Sequence, residues 1–177
     1  MILSGIEIKN RLGKDIIIDP FYEKCINPNS YNLHLPNELM VYKNQLIDSA
    51  QNNDTEKIEI PQDGFILQPN QLYLARTVEY TETHNLVPIM KGRSSIGRLG
   101  IQVHISSGFG DVGFCGYWTL QITCVIPVKI YPFMEICQIY YQPILGNYTE
   151  YKSKYQYNDN VQSSKMYMDL NNRSRNQ

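Results

Sequence analysis

The chain has 177 residues, enough for one domain with a sizeable core, and its 16 basic and 17 acidic residues leave a formal net charge of −1. With so little net charge, no global field draws it to nucleic acid or to a membrane surface, and any anion site must be local. The hydrophobic share of 42% is ordinary for a globular protein, and no apolar run nears the ~20 residues that a membrane span needs.

The first residues, MILSGIEIKN, carry neither a basic n-region nor a long apolar h-region. No signal peptide is therefore expected, and a cytoplasmic location is. Ser4 and Glu7 have capping-box spacing, which predicts a short helix over about 4–13 with Gly13 as its stop. Beyond it the pattern is β. Short runs at 15–19, 33–35, 39–42, 58–60, 64–69 and 72–80 are separated by Pro, Asn and Asp. IQVHI (101–105) alternates cleanly. YWTLQITCV (117–125) does the same, with Trp118, Leu120, Ile122 and Cys124 on one face and Tyr117, Thr119, Gln121 and Thr123 on the other. Runs at 128–131 and 135–144 follow. Many short strands at regular spacing predict an all-β sandwich, jelly roll or barrel. From about 145 the large aliphatics nearly vanish and Asn, Tyr, Ser and Lys dominate, so the last residues read as disordered. YKSKYQYN (151–158) carries cations and phenols that could fold over a ligand.

Cys25, Cys115, Cys124 and Cys137 form no C-x-x-C pair and read as buried reduced thiols. His34, His84 and His104 are far apart in sequence, and the H-x-E…P-C-x-x-C deaminase signature is missing. A tetrahedral zinc site is not expected on this spacing.

Two segments read as a site. KGRSSIGRLG (91–100) concentrates cations and hydroxyls in an apolar neighbourhood. Ser94 and Arg98, four apart, share one side of a helical turn, and Arg93 adds a forked donor suited to phosphate. A polyphosphate cradle and a solvated basic turn both fit. The P-loop pattern does not occur. In SSGFGDVGFCGYWTLQ (106–121) three glycines in the first half imply a tight loop around Asp111, its only carboxylate. Asp111 is either a turn former or a fixed acceptor for a sugar hydroxyl or a water. Gln121, on the polar face of the following strand, can donate to and accept from a base edge but takes no proton at neutral pH.

These segments, with MILSG, INPNSYNLHL (26–35), LQPNQLYLARTVE (67–79), ICQIYYQP (136–143) and YKSKYQ (151–156), resemble the dCTP deaminase family of the dUTPase superfamily. The match runs from residue 1 to about 158. GRSS-x-x-R-L-G followed by G-x-x-D-x-G-[FW] is its most specific part. The resemblance implies a distorted β-barrel or jelly-roll subunit with a short N-terminal helix and few other helical turns. It further implies one nucleotide-hydrolase domain over 1–158 that includes a closing C-terminal segment, followed by a flexible tail over 159–177. It implies a homotrimer with sites between subunits, dCTP or dUTP as ligand, and magnesium carried by the triphosphate rather than by protein side chains. No zinc takes part in the implied reaction. That reaction deaminates dCTP to dUTP, and some members continue to dUMP and pyrophosphate. The loop Ser106-Ser107-Gly108-Phe109 is closer to the bifunctional, dUMP-forming subgroup.

Carried over residue by residue, Arg93, Ser94, Ser95 and Arg98 match the triphosphate-binding motif, and Arg98 also helps to place the attacking water. Asp111 matches the contact to the deoxyribose 3′-hydroxyl, and Thr119 and Gln121 match the base-reading end of the strand. Gln138, Tyr151 and Lys154 match nucleotide contacts, and Asn158 stands where the family usually has Gln. Ser94, Arg98 and Gln121 hold the catalytic positions. At 121 the family has glutamate as general base. Three readings of the amide stand open: a change made to trap substrate in an intact pocket, a dUTP pyrophosphatase without deaminase activity, or a non-catalytic dNTP-binding relative.

Overall fold

The computed structural model describes residues 1–104 and 107–173, Arg173 by its backbone alone. Ser4 caps the first helix, α1 (Gly5–Arg11), by accepting from the Glu7 N–H at 3.2 Å. Ion pairs from Arg11 to Glu7 and Asp15, each four residues away, brace its last turn.

The strands follow in order: β1 (Ile16–Asp19), β2 (Tyr31–His34), β3 (Glu38–Tyr42), β4 (Thr55–Glu59), β5 (Phe65–Leu67), β6 (Tyr73–Thr83) and β7 (Leu86–Gly92). A one-turn helix, α2 (Ser94–Arg98), leads to β8 (Ile101–Val103), β9 (Cys115–Cys124), β10 (Val128–Ile130) and β11 (Glu135–Pro143), and a last helix, α3 (Met166–Arg173), ends the described chain. The main sheet runs β4-β3-β6-β9-β8, with β1 on the outer edge of the second half of β6. A second sheet is β2-β11-β7, and β10 and β5, distant in sequence, form a separate antiparallel pair. This is the mostly β architecture, with a short N-terminal helix, that the sequence leads one to expect.

The alternation read in 117–124 is observed. Trp118, Leu120, Ile122 and Cys124 are buried, and Tyr117, Thr119, Gln121 and Thr123 turn to the other face, partly exposed. The inward set packs with Leu33, Leu39, Met90, Ile136 and Ile139 in one hydrophobic cluster. At about 25 cal/mol per Å² of apolar area removed from water, this cluster is the main favourable contribution to folding. All four cysteines are buried and unpaired by disulfides.

Strand β7 is not among the runs the sequence singles out, and it contains Pro88, a residue unfavourable inside a strand. Here Pro88 pairs with Tyr141 of β11 and its carbonyl accepts the Gly110 N–H at 2.9 Å, so its missing N–H falls where no donor is used. Among the described residues of 159–177, the chain passes over β9 and forms α3, while 174–177 lie outside them. Ile105 and Ser106 of the loop before Asp111 also lie outside the described residues.

Candidate active site

Strand β9 presents Thr119 and Gln121 outward because its inward alternate positions are taken by Trp118 and Leu120. These two polar side chains form the floor of a cavity of about 500 Å³, within the range of small-molecule sites. Its walls are aromatic, with Phe114, Tyr117, Trp118, Tyr151 and Tyr155 contributing, and Asp111 lies at its edge. Gly110 brings the Asp111 loop down onto Trp118. A Cβ at that position would lie 2.4 Å from the indole and 2.8 Å from the Pro88 carbonyl.

Gln121 Oε1 accepts from Ser107 Oγ at 2.9 Å, and Ser107 Oγ lies 3.2 Å from His104 Nδ1. The His104 backbone N–H donates to the Gln121 carbonyl at 3.1 Å, which fixes the relative position of the two residues. His104 has φ of 51°, just past the end of β8, and this turns its ring into the protein. Burial pushes its pKa down to about 4, partly opposed by the nearby Thr119 carbonyl. The ring is therefore neutral at neutral pH, and its Nε2 is buried without a hydrogen-bond partner of regular geometry.

The segment after β11 returns to close one side of this cavity. The Tyr151 N–H donates to the Val112 carbonyl at 2.8 Å, and Gln156 bonds both the Cys115 N–H and the Gly113 carbonyl. Asn158 forms a parallel bridge with Gly116. Gly116 has φ of 148°, and a Cβ there would stand 2.2 Å from Asn158 Oδ1, so only glycine lets the two backbones meet. Further on, the Gln162 N–H donates to Thr119 Oγ1 at 3.0 Å, and the Ser164 N–H donates to Tyr42 Oη at 3.0 Å. His84 sits between Glu82 (2.8 Å) and Glu150 (3.1 Å), and those hydrogen bonds raise its pKa. These contacts tie the start of the closing segment to β6.

Of the residues singled out in the sequence, Asp111, Thr119, Gln121, Tyr151 and Asn158 all line this cavity. The others do not. Ser94, Ser95 and Arg98 stand exposed on α2, away from it. Arg93 is half-buried and bound through Nη1 to the Glu135 carbonyl and through Nη2 to the Glu135 carboxylate, both at 3.0 Å. Gln138 faces Ser30, whose hydroxyl it accepts at 2.7 Å. Lys154 pairs with Asp169 of α3 and lies over the Tyr155 ring. Sequence reasoning missed His104 as a partner of the site. The available signal was a polar ring at the end of an alternating strand, immediately before a Ser-Ser-Gly loop. It also missed Gln162 and Ser164, which carry no motif.

A family profile described as dCTP deaminase-like matches residues 2–144. A protein named dCTP deaminase, dUMP-forming, from Clostridium acetobutylicum is 58% identical over 173 residues, which are 97% of this chain and 100% of that one. Its namesake from Cytophaga hutchinsonii is 56% identical over 171 residues, 96% of this chain and 99% of the relative. The crystal structure of 2'-deoxycytidine 5'-triphosphate deaminase from Agrobacterium tumefaciens superposes with a TM-score of 0.65 at 16% identity. The superposition covers 80% of this chain and 48% of that one, a likeness of fold.

Proposed function

The chain belongs to the dCTP deaminase-like family, and from that premise we propose that it deaminates dCTP to dUTP and carries dUTP on to dUMP and pyrophosphate. The observation that supports this most is the single cavity that gathers Asp111, Thr119, Gln121 and Tyr151 between aromatic walls. It has the size and the donor–acceptor set for a pyrimidine deoxynucleoside. Asp111 accepts from the 3′-hydroxyl, Thr119 and Gln121 bond the base edge, and Tyr151 with the segment behind it excludes water. In the first step one water adds at C4 and ammonia leaves. In the second a water attacks the α-phosphate and pyrophosphate leaves.

The triphosphate then needs cations that this cavity lacks. Arg98 supplies the positive charge, and Ser94 and Ser95 hydroxyl donors, from a second copy, in a homotrimer whose sites lie between subunits. Beside α2, Leu99, Val125 and Ile126 are exposed apolar side chains, 49%, 62% and 57% accessible, and Val125 packs against Gly100 at the end of the helix. Such a patch next to a cationic turn suits a contact between protein surfaces. Magnesium arrives on the triphosphate as part of the substrate. No helix among the described residues is long and apolar enough to cross a membrane.

A second reading is favoured by one specific observation. Gln121 is an amide whose Oε1 is already bound by Ser107, so it positions a water without taking its proton. On this reading dUTP hydrolysis persists while deamination is slow. Incubating the protein with magnesium and either dCTP or dUTP, and resolving ammonia, dUTP, dUMP and pyrophosphate, separates the two. dUMP and ammonia from dCTP support the full sequence of steps. Pyrophosphate from dUTP alone selects the second reading, and turnover of neither nucleotide removes both.

A further inference from the structure

Away from the cavity, the loop before β2 and the ends of β2 and β11 bring together three side chains with metal-ligating atoms. Cys25 Sγ lies 3.8 Å from His34 Nε2 and 3.9 Å from Glu135 Oε1, and all three ligating atoms lie within 4.8 Å of one another. Cys25 is fully buried, and the side chains of His34 and Glu135 are 11% and 27% accessible. The pocket is therefore internal on the sulfur side and open to solvent at the carboxylate.

The hydrogen bonds around these atoms point their lone pairs inward. His34 Nδ1 bonds Oε1 of Glu79, a carboxylate with no exposed surface, whose Oε2 accepts the His34 backbone N–H at 2.9 Å. With Nδ1 as the donor, Nε2 carries the free pair and faces Cys25. A carboxylate behind a histidine is the arrangement that orients metal-bound imidazoles and raises their basicity. The other oxygen of Glu135 is occupied, with Asn32 Nδ2 donating at 2.8 Å and Arg93 Nη2 at 3.0 Å. Its Oε1 is left facing Cys25. One thiol proton thus stands between two acceptors and can satisfy only one of them.

We propose that Cys25, His34 and Glu135 bind a divalent transition-metal ion of the zinc class, with Glu79 as the group that orients His34 and solvent at the fourth position. Zinc–sulfur and zinc–nitrogen bonds of about 2.3 and 2.0 Å in a tetrahedron place the two ligand atoms about 3.5 Å apart. The observed 3.8 Å needs a contraction of a few tenths of an ångström at most. On binding, the sulfur–metal bond replaces the S–H bond and the thiol proton leaves to solvent. The sequence spacing hides this site, because the third ligand lies 110 residues from the first. A second trio, Glu82, His84 and Cys115, also falls within ligating distance. There His84 Nε2 lies 2.8 Å from Glu82 Oε1, a hydrogen-bond distance too short to hold a metal ion between the two atoms, and the His84 side chain is 48% accessible, so that cluster is a surface hydrogen-bonded pair and serves as the internal control.

The test is a cobalt(II) titration of the reduced, metal-free, full-length protein. We expect one equivalent per chain, a thiolate-to-cobalt charge-transfer band in the near ultraviolet, and displacement by zinc. The band is lost in Cys25→Ser and Cys25→Ala and kept in Cys115→Ser. No thiolate band in the wild-type protein, or a band that survives both Cys25 substitutions, overturns the assignment. Should the Cys25 variants not fold, X-ray absorption at the zinc edge of the wild-type protein decides. A shell with one sulfur at about 2.3 Å beside nitrogen and oxygen neighbours is expected, and a shell of nitrogen and oxygen alone refutes it.

Discussion

Gln121, Ser107 and His104 form a hydrogen-bonded chain at the floor of the cavity, and each link has a chemical limit. The amide at 121 keeps the shape of a carboxylate and its acceptor oxygen but offers no basic site. A positioned general base contributes about 10²–10⁴ in rate. Gln121→Glu is therefore expected to raise ammonia release from dCTP by about that factor, with little change in the pyrophosphate released from dUTP. A steady-state comparison of both products checks it. An equal effect on the two would make 121 a general binding residue. His104 gives a pH prediction. Its pKa falls from about 6.5 in the unfolded chain to about 4 in the fold. Above pH 6.5 the ring is neutral in both states. As pH drops from 6.5 toward 4 the unfolded chain takes up a proton that the fold refuses, so stability is lost, by up to about 3 kcal/mol. Denaturant unfolding across this range should show that slope, and His104→Gln should flatten it. The amide at 121 was legible in the sequence as a departure from the glutamate that the resemblance implies. Its bond to Ser107 was not, because it depends on a turn with positive φ at His104 that no motif announces.

The closing segment is held at the scale of the element by backbone pairing to the start of β9 rather than by an apolar face of its own. Residues 151–158 contribute no large aliphatic side chain, and their anchors are the Gln156 bonds, the Asn158–Gly116 bridge and the contact of Glu150 with His84. Gly116→Ala puts a methyl group 2.2 Å from Asn158 Oδ1 at a φ that L-residues rarely adopt. It is expected to cost about 1–3 kcal/mol and to release this segment. The outcome would be faster proteolysis within 145–165 and weaker nucleotide binding, with the rest of the fold intact. Unchanged cleavage would show that the segment is held elsewhere. The phenols and cations of YKSKYQYN marked it in the sequence as a candidate to fold over a ligand, and Tyr151, Tyr155 and Asn158 line the cavity. Its docking register was not readable, because it rests on main-chain bonds that carry no side-chain signature. β7 was hidden for a related reason. Pro88 argues against a strand unless the unused donor position is known, and that position is a property of the sheet.

The whole molecule sets a limit that neither scale below it shows. Alternation in β9 and the short polar-bounded runs were enough to read a mostly β core, since burial follows a period of two. The cation motif was legible as a motif, yet in one chain Arg98 is not among the residues that line the cavity, and the proposed contact between copies has no periodic signature in a single sequence. The central claim is that one nucleotide is held by two copies of the chain, with Arg98 from one and Asp111 from the other. Mixing tests it most directly. Arg98→Ala and Asp111→Asn proteins are each expected to bind dCTP weakly. After denaturation and refolding together in equal amounts, about a quarter of the sites in a trimer join two intact halves by random assortment. Equilibrium dCTP binding of the mixture should then recover tight sites at about that fraction. A mixture that binds no better than either variant alone would contradict the account and place the whole site within one chain.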